Sequence, residues 1–132
     1  MKPSIRVLVA DDHLLVRTAV SELLNTVDGM SVVGQATDGR EALDLVEQLR
    51  PNVVLMDVTM PAMSGLEATR LLTERHPGLT VLMFSGDVRY SVVQAARAAG
   101  ATGFLAKGCR GTDLIRAVQR VHSGGSAWPG SA

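Results

Sequence analysis

Four apolar runs of this sequence end on residues that can handle a metal ion or a phosphoryl group. "IRVLVADDH" delivers Asp11 and Asp12, "NVVLMD" delivers Asp57, "LTVLMFS" delivers Ser85 and "GFLAK" delivers Lys107. Three carboxylates gathered at one place repel: two of them about 5 Å apart cost roughly 3 kcal/mol at an effective dielectric near 20. Either one of them stays protonated or a cation neutralises the group. An all-oxygen ligand set suits a hard ion, and Mg²⁺ takes one or two carboxylates while keeping several waters. A lysine and a hydroxyl beside such an ion complete a nest for a phosphoryl group. Taken singly, each residue has a plainer reading. An aspartate after a strand turns the chain or caps a helix, a lysine is solvated, and a serine sits in a loop. Their joint placement at one edge is what favours chemistry.

That placement follows from the elements. Ile5 to Ala10, Ser31 to Ala36, Asn52 to Asp57, Leu79 to Phe84 and Gly103 to Ala106 read as strands. Between them the apolar residues recur at helical spacing. Val16, Ala19, Val20, Leu23, Leu24 and Val27 mark a first helix, stopped at Asp28-Gly29. Ala42, Leu45, Val46 and Leu49 mark a second, ending before Pro51. A third covers Gly65 to Arg75, and an alanine-rich fourth runs from about Val88 to Ala99 with Gly100 as its stop. Thr112 is placed to cap a fifth, in which Leu114, Ile115, Val118 and Val121 face inward. Strict alternation predicts one α/β domain: a doubly wound, five-stranded parallel sheet of flavodoxin-like order 2-1-3-4-5. In that order ligands bind outside the carboxyl ends of strands one and three, where the winding reverses. Asp11, Asp12 and Asp57 meet there.

Composition narrows the classes. The chain has 132 residues, with 13 basic and 13 acidic side chains, so no net field draws it to nucleic acid or anionic lipid. The single Cys109 rules out an internal disulfide and reads as a small filler. No apolar run is long enough for a membrane span, and the N-terminus lacks a signal-like apolar region. The expected location is cytoplasmic.

With "VADDH", "LMDVTMPAMSG", "FSG" and "GFLAKG" in this order, the chain resembles the receiver domain of two-component response regulators. "DDH", "RAAGATGFLAKG" and "AVQRVHSGGSAW" are most similar to the NarL/FixJ subgroup. The resemblance implies Asp57 as phosphoacceptor. It implies Mg²⁺ held by Asp11, Asp12, Asp57 and the backbone carbonyl of Thr59. Lys107 would pair with the acyl phosphate, Ser85 would bond a phosphate oxygen, and Phe104 would be the aromatic whose rotamer follows Ser85. Thr59 and Asp87 stand where family members tune hydrolysis. The domain would catalyse its own phosphorylation and dephosphorylation without being an enzyme toward other substrates. It would take the phosphoryl group from a sensor histidine kinase and shift the surface from the fourth helix to the fifth, with homodimerisation or a DNA-binding output as the consequence.

Residues 1–124 are read as the receiver and residues 125–132 as the start of a small, flexible linker. The LuxR-type helix-turn-helix domain that usually follows in the subgroup would lie outside this chain, whether excised or never present; the receiver itself would not contact nucleic acid. Gly108 stands where many receivers carry proline. Tyr90 reads as a surface residue of the moving helix, and His13 and His76 as helix-start and loop residues. Competing classes are a haloacid-dehalogenase-like phosphatase, which needs an acid at position 59, and a flavin carrier, which needs hydroxyls and glycines after the first strand. A third is a degenerate receiver that serves as an unphosphorylated interaction platform.

Overall fold

The middle of the sheet is apolar on both faces, as a sheet covered by helices on either side demands. In the computed structural model, which describes residues 4–130, five strands form one parallel sheet in the order β2-β1-β3-β4-β5. They are β1 (Ile5–Ala10), β2 (Met30–Ala36), β3 (Val53–Met56), β4 (Thr80–Ser85) and β5 (Gly103–Ala106). The helices are α1 (Leu14–Asn25), α2 (Gly39–Leu49), α3 (Gly65–Arg75), α4 (Tyr90–Ala98) and α5 (Gly111–His122). The predicted order is therefore correct.

Alternate strand residues point to opposite faces, and the core divides accordingly. Val7, Val9, Val53, Leu55, Leu82 and Phe84 pack with Val20 and Leu24 of α1 and with Leu114, Val118 and Val121 of α5. Leu8, Ala10, Val54, Met56, Val81 and Met83 pack with Ala42 and Val46 of α2, Ala68 and Leu72 of α3, and Val93 and Ala96 of α4. Side-chain caps fix the starts of α2 and α3. Asp38 accepts from the Glu41 amide at 2.7 Å, while the Glu41 carboxylate accepts from the Thr37 amide at 2.9 Å, a reciprocal arrangement that satisfies two otherwise open donors. At the start of α3, Ser64 Oγ accepts from the Glu67 amide at 3.1 Å. α2 ends with Arg50 at φ 50°, left-handed because the following Pro51 disfavours a further right-handed turn.

Apart from shifts of a residue or two at the ends of β2, β3, β4 and α1, three features differ from the sequence reading. α4 starts at Tyr90 rather than Val88, because Asp87 binds the amide and guanidinium of Arg89 and holds the chain extended. α5 starts at Gly111 after Arg110, whose amide donates to Asp113 at 3.3 Å, so Thr112 lies inside the first turn and is not its cap. The tail does not run free after residue 124. Ala127 forms a parallel bridge with Gly103, and the Phe104 amide donates to the Ala127 carbonyl at 2.8 Å.

The register brings the strand ends level. Ala10 pairs with Met56, Met56 with Met83 and Ser85 with Ala106, so the residues just past each strand emerge at one edge. Behind Asp57 the chain turns sharply, with the Gly65 amide donating to the Val58 carbonyl at 2.8 Å. A side chain at Gly65 would overlap the Asp57 carbonyl oxygen. Gly65→Ala is therefore expected to lower stability by about 2–4 kcal/mol, read from urea unfolding. A loss below about 0.5 kcal/mol would show that the turn yields without cost.

Candidate functional site

Two apolar strands place the acids. Asp57 follows β3, its amide donating to the Ala10 carbonyl at 2.9 Å; Asp11 follows β1, its amide donating to the Ala36 carbonyl at 3.0 Å. Both are thereby extensions of the sheet, and both are buried. Asp12, next in the chain, is one-third exposed and opens the group to solvent. Ligand atoms of Asp11, Asp12, His13 and Asp57 lie within 4.8 Å of one another.

Lys107, just past β5, reaches across the edge. Its Nζ is 2.7 Å from Asp11 Oδ2 and 3.1 Å from Asp57 Oδ2. One ammonium thus faces two carboxylates, and the charge does not balance. Burial pushes the Asp57 carboxyl above the usual aspartate range and the Asp11 charge adds to it, with Lys107 and the Thr59 amide offsetting only part. Burial also acts against ionised Asp11, but Lys107 and the His13 amide outweigh it and hold that carboxyl low. Burial likewise disfavours the Lys107 ammonium, yet the two carboxylates hold its pKa above the ordinary lysine range. The proton affinities of Asp11 and Asp57 are pushed apart, leaving Asp57 as the unsatisfied member.

A cation fits this arrangement. The donors are carboxylate oxygens, and the buried Asp11 Oδ2 receives no hydrogen bond of proper geometry despite the ammonium beside it. Asp11, Asp12 and Asp57 are the residues that would hold Mg²⁺.

His13 and Arg17 are residues that sequence reasoning did not place in the site. His13 begins α1 as expected. Its amide also donates to Asp11 Oδ1 at 2.9 Å, and its ring Nδ1 lies 3.0 Å from Asp11 Oδ1 and 3.3 Å from Asp12 Oδ1. Arg17, one turn on, donates to the Asp11 carbonyl at 2.9 Å. The adjacency in "DDH" was the available signal, since a residue two beyond an aspartate is where its side chain finds an amide.

Ser85 stands at the same edge, buried, with its hydroxyl engaged locally. The Asp87 amide donates to Ser85 Oγ at 3.0 Å, and the hydroxyl lies 3.2 Å from the Asp87 carbonyl. The Asp87 carboxylate is held by Arg89 at 2.6 Å. Phe104 is buried among Met83, Val93 and Ala96. Tyr90 is exposed. His76 caps the end of α3 and bonds Glu47 at 2.9 Å, far in sequence from the acids.

A raised carboxyl pKa carries a definite sign for stability. The folded chain binds the Asp57 proton more tightly than the unfolded one. Ionising Asp57 therefore costs stability as pH rises from the ordinary aspartate range through the raised value. Asp57→Asn removes that cost. At pH 7 in the absence of divalent ions it is expected to raise Tm by about 2–6 °C, and the gain should vanish near pH 3, where Asp57 is protonated in both states. Thermal melts at the two pH values check this; an equal gain at both would refute the electrostatic origin.

Residues 7–119 match the family model described as the response regulator receiver domain. The chain is 43% identical over 120 residues to the response regulator GacA of Pseudomonas viridiflava, covering 91% of this chain and 56% of that protein. It is 35% identical to the response regulator UvrY of Escherichia coli strain K12, covering 91% of this chain and 55% of that one. It therefore spans just over half the length of these relatives. A solved LuxR-family two-component response regulator from Aurantimonas sp. SI85-9A1 superposes with a TM-score of 0.90 at 31% identity, over 94% of this chain and 89% of that chain. With the buried acids, the lysine that bridges them and a family match over most of its length, the chain belongs to the response regulator receiver domains.

Proposed function

We propose that this domain is a phosphorylation-operated switch in a two-component system, with Asp57 as its phosphoacceptor. The observation that carries the reading is Asp57 itself: buried, kept off balance by Asp11, and reached by Lys107 at 3.1 Å. A carboxylate oxygen of Asp57 attacks phosphorus, the bond from phosphorus to the donor breaks, and the departing group leaves with its electron pair. For a phosphohistidine donor that group is the imidazole, which then takes up a proton. Bound Mg²⁺ would offset the charge spread over the phosphoryl oxygens, held by Asp11, Asp12, Asp57 and the Thr59 carbonyl.

The chain's own residues supply the remainder. β3 holds the nucleophile rigidly, which is where most of the catalysis in such transfers arises. Lys107 is already between Asp11 and Asp57 and can follow the charge onto the acyl phosphate. His13 and Arg17 hold Asp11 in place. Hydrolysis returns Asp57 when water attacks the same phosphorus; Thr59 and Asp87, at the rim, are the positions that would set its rate.

The modification adds a group of charge about −2. Ser85 Oγ would leave the Asp87 backbone to bond it, which frees the segment before α4. Phe104 and α4 would then repack, with alanines giving α4 little volume to anchor it. The α4-β5-α5 surface would thereby control homodimerisation or a LuxR-type DNA-binding domain, consistent with transcription regulators among the relatives. A sensor histidine kinase is the partner; the exposed Leu14 and Leu15 beside Asp12 give such a donor an apolar landing at the mouth of the site. No helix among the described residues is long and apolar enough to cross a membrane, and we place the domain in the cytoplasm.

Intact mass after incubation with acetyl phosphate or phosphoramidate tests the reading. One phosphoryl group should be gained, only with Mg²⁺ and only when Asp57 is present, so that Asp57→Ala stays unmodified. Lys107→Ala should gain it at least about tenfold more slowly. No adduct under any condition would favour the unphosphorylated interaction platform instead.

A further inference from the structure

The segment after α5 is built to return to the sheet. The chain leaves α5 through Gly124, at φ 96°, in the left-handed region that suits glycine. At Gly125 the amide donates to the Arg120 carbonyl at 2.9 Å, and a Cβ there would lie 2.8 Å from Arg120 Cγ. The chain then runs beside β5, the edge strand of the sheet. There the Ala127 carbonyl takes the hydrogen bond of the Phe104 amide, and Gly103 makes room for it, since a Cβ at Gly103 would stand 2.7 Å from the Ala127 carbonyl oxygen. Trp128 follows, its ring 4.1 Å from the Arg97 guanidinium carbon on α4 and packed against the core that contains Phe104. The tail is thus a strap tied at once to β5 and to α4.

Its α5 side is only partly filled, Ala127 packing against the core that includes Ala117 and Val121. Between the strap and α5 lies an open hollow of about 570 Å³, lined by Ala127 and Trp128 opposite Arg116, Ala117 and Arg120. The strap is held by the Ala127 hydrogen bond, the Arg97 ring contact and the partial packing of Ala127 and Trp128, a set of ties small enough to open without unfolding the sheet.

We propose that this strap, residues 126–129, is released from α4 and β5 when Asp57 is phosphorylated, so that the switch acts on the chain beyond α5 directly. The inference rests on the proposed phosphoacceptor role. Its links are contiguous. Ser85 holds the segment preceding α4, α4 carries Arg97 under Trp128, and β5 leads into Lys107 and carries the Phe104 amide that holds Ala127. A movement of α4 relative to β5 cannot leave both ties of the strap intact.

Trp128 is the chain's one tryptophan, so its fluorescence reads the strap alone. Acrylamide quenching would be measured with and without Mg²⁺ and beryllofluoride, a stand-in for the phosphoryl group, while ¹⁹F resonance monitors the adduct in the same sample. The quenching constant should rise at least about twofold when the adduct forms. Gly103→Ala and, independently, Arg97→Gln should raise it before any beryllofluoride is added and shrink the further change, while adduct formation persists. Unchanged or reduced quenching in the presence of the adduct would overturn the strap and leave the phosphoacceptor standing. Failure to form the adduct would overturn the phosphoacceptor reading, and the strap's release with it.

Discussion

One imbalance of charge organises this molecule. Two buried aspartates at the ends of β1 and β3 share a single lysine, and a third aspartate stands beside them at the solvent. A fold can hold such a group only on rigid supports, because like charges at close range would otherwise part. The support here is a pair of adjacent parallel strands, hydrogen-bonded from Val7↔Val53 to Ala10↔Met56. Burial does the rest, making Asp57 a carboxylate for which positive charge is favourable. A cation re-balances this edge, and a phosphoryl group, which would add further negative charge there, would need that cation and Lys107 beside it.

The supporting elements can be understood from that demand. β3 is apolar at every position because it lies at the middle of the sheet with helices on both faces. Gly65 lets α3 begin against the Asp57 carbonyl, so the loop that carries Thr59 stays short and near the carboxylate. α1 begins at the site with His13 and Arg17 fastening Asp11. On the other flank the Ser85 hydroxyl is satisfied by the Asp87 backbone, a local bond that a better acceptor at Asp57 could displace. Stability and responsiveness are therefore divided between the two flanks. On the proposed function, the β1-β3 side stays fixed and the β4-α4 side exchanges its contacts.

Much of this was legible in the sequence, for a physical reason. Buried parallel strands need unbroken apolar runs, so a charged residue ending one is conspicuous; Asp11, Asp57 and Lys107 announced themselves in that way. The winding order follows from strict alternation of strands and helices, and it sends all three to one edge. Boundaries were less legible where side chains compete with the helix. Asp87 captures Arg89 and delays α4, and the Arg110 amide finds Asp113, which makes Thr112 an interior residue. The ring of His13 was not legible, since a histidine at a helix start carries no mark of which carboxylate it will meet. The docked tail was the least legible. "HSGGSAWPG" has the glycine and serine content of a linker, and its tie to the sheet is made by backbone atoms and by an arginine about thirty residues earlier.

The central claim is that Asp57 is held electrostatically unsatisfied until positive charge arrives. Site-resolved ¹³C resonance of the aspartate carboxyl groups, followed through pH with and without Mg²⁺, tests it most directly. In the metal-free domain Asp57 should titrate above the ordinary aspartate range and Asp11 below it, and Mg²⁺ should draw Asp57 downward. An Asp57 that titrates at or below the ordinary range, and does not respond to Mg²⁺, would contradict the account.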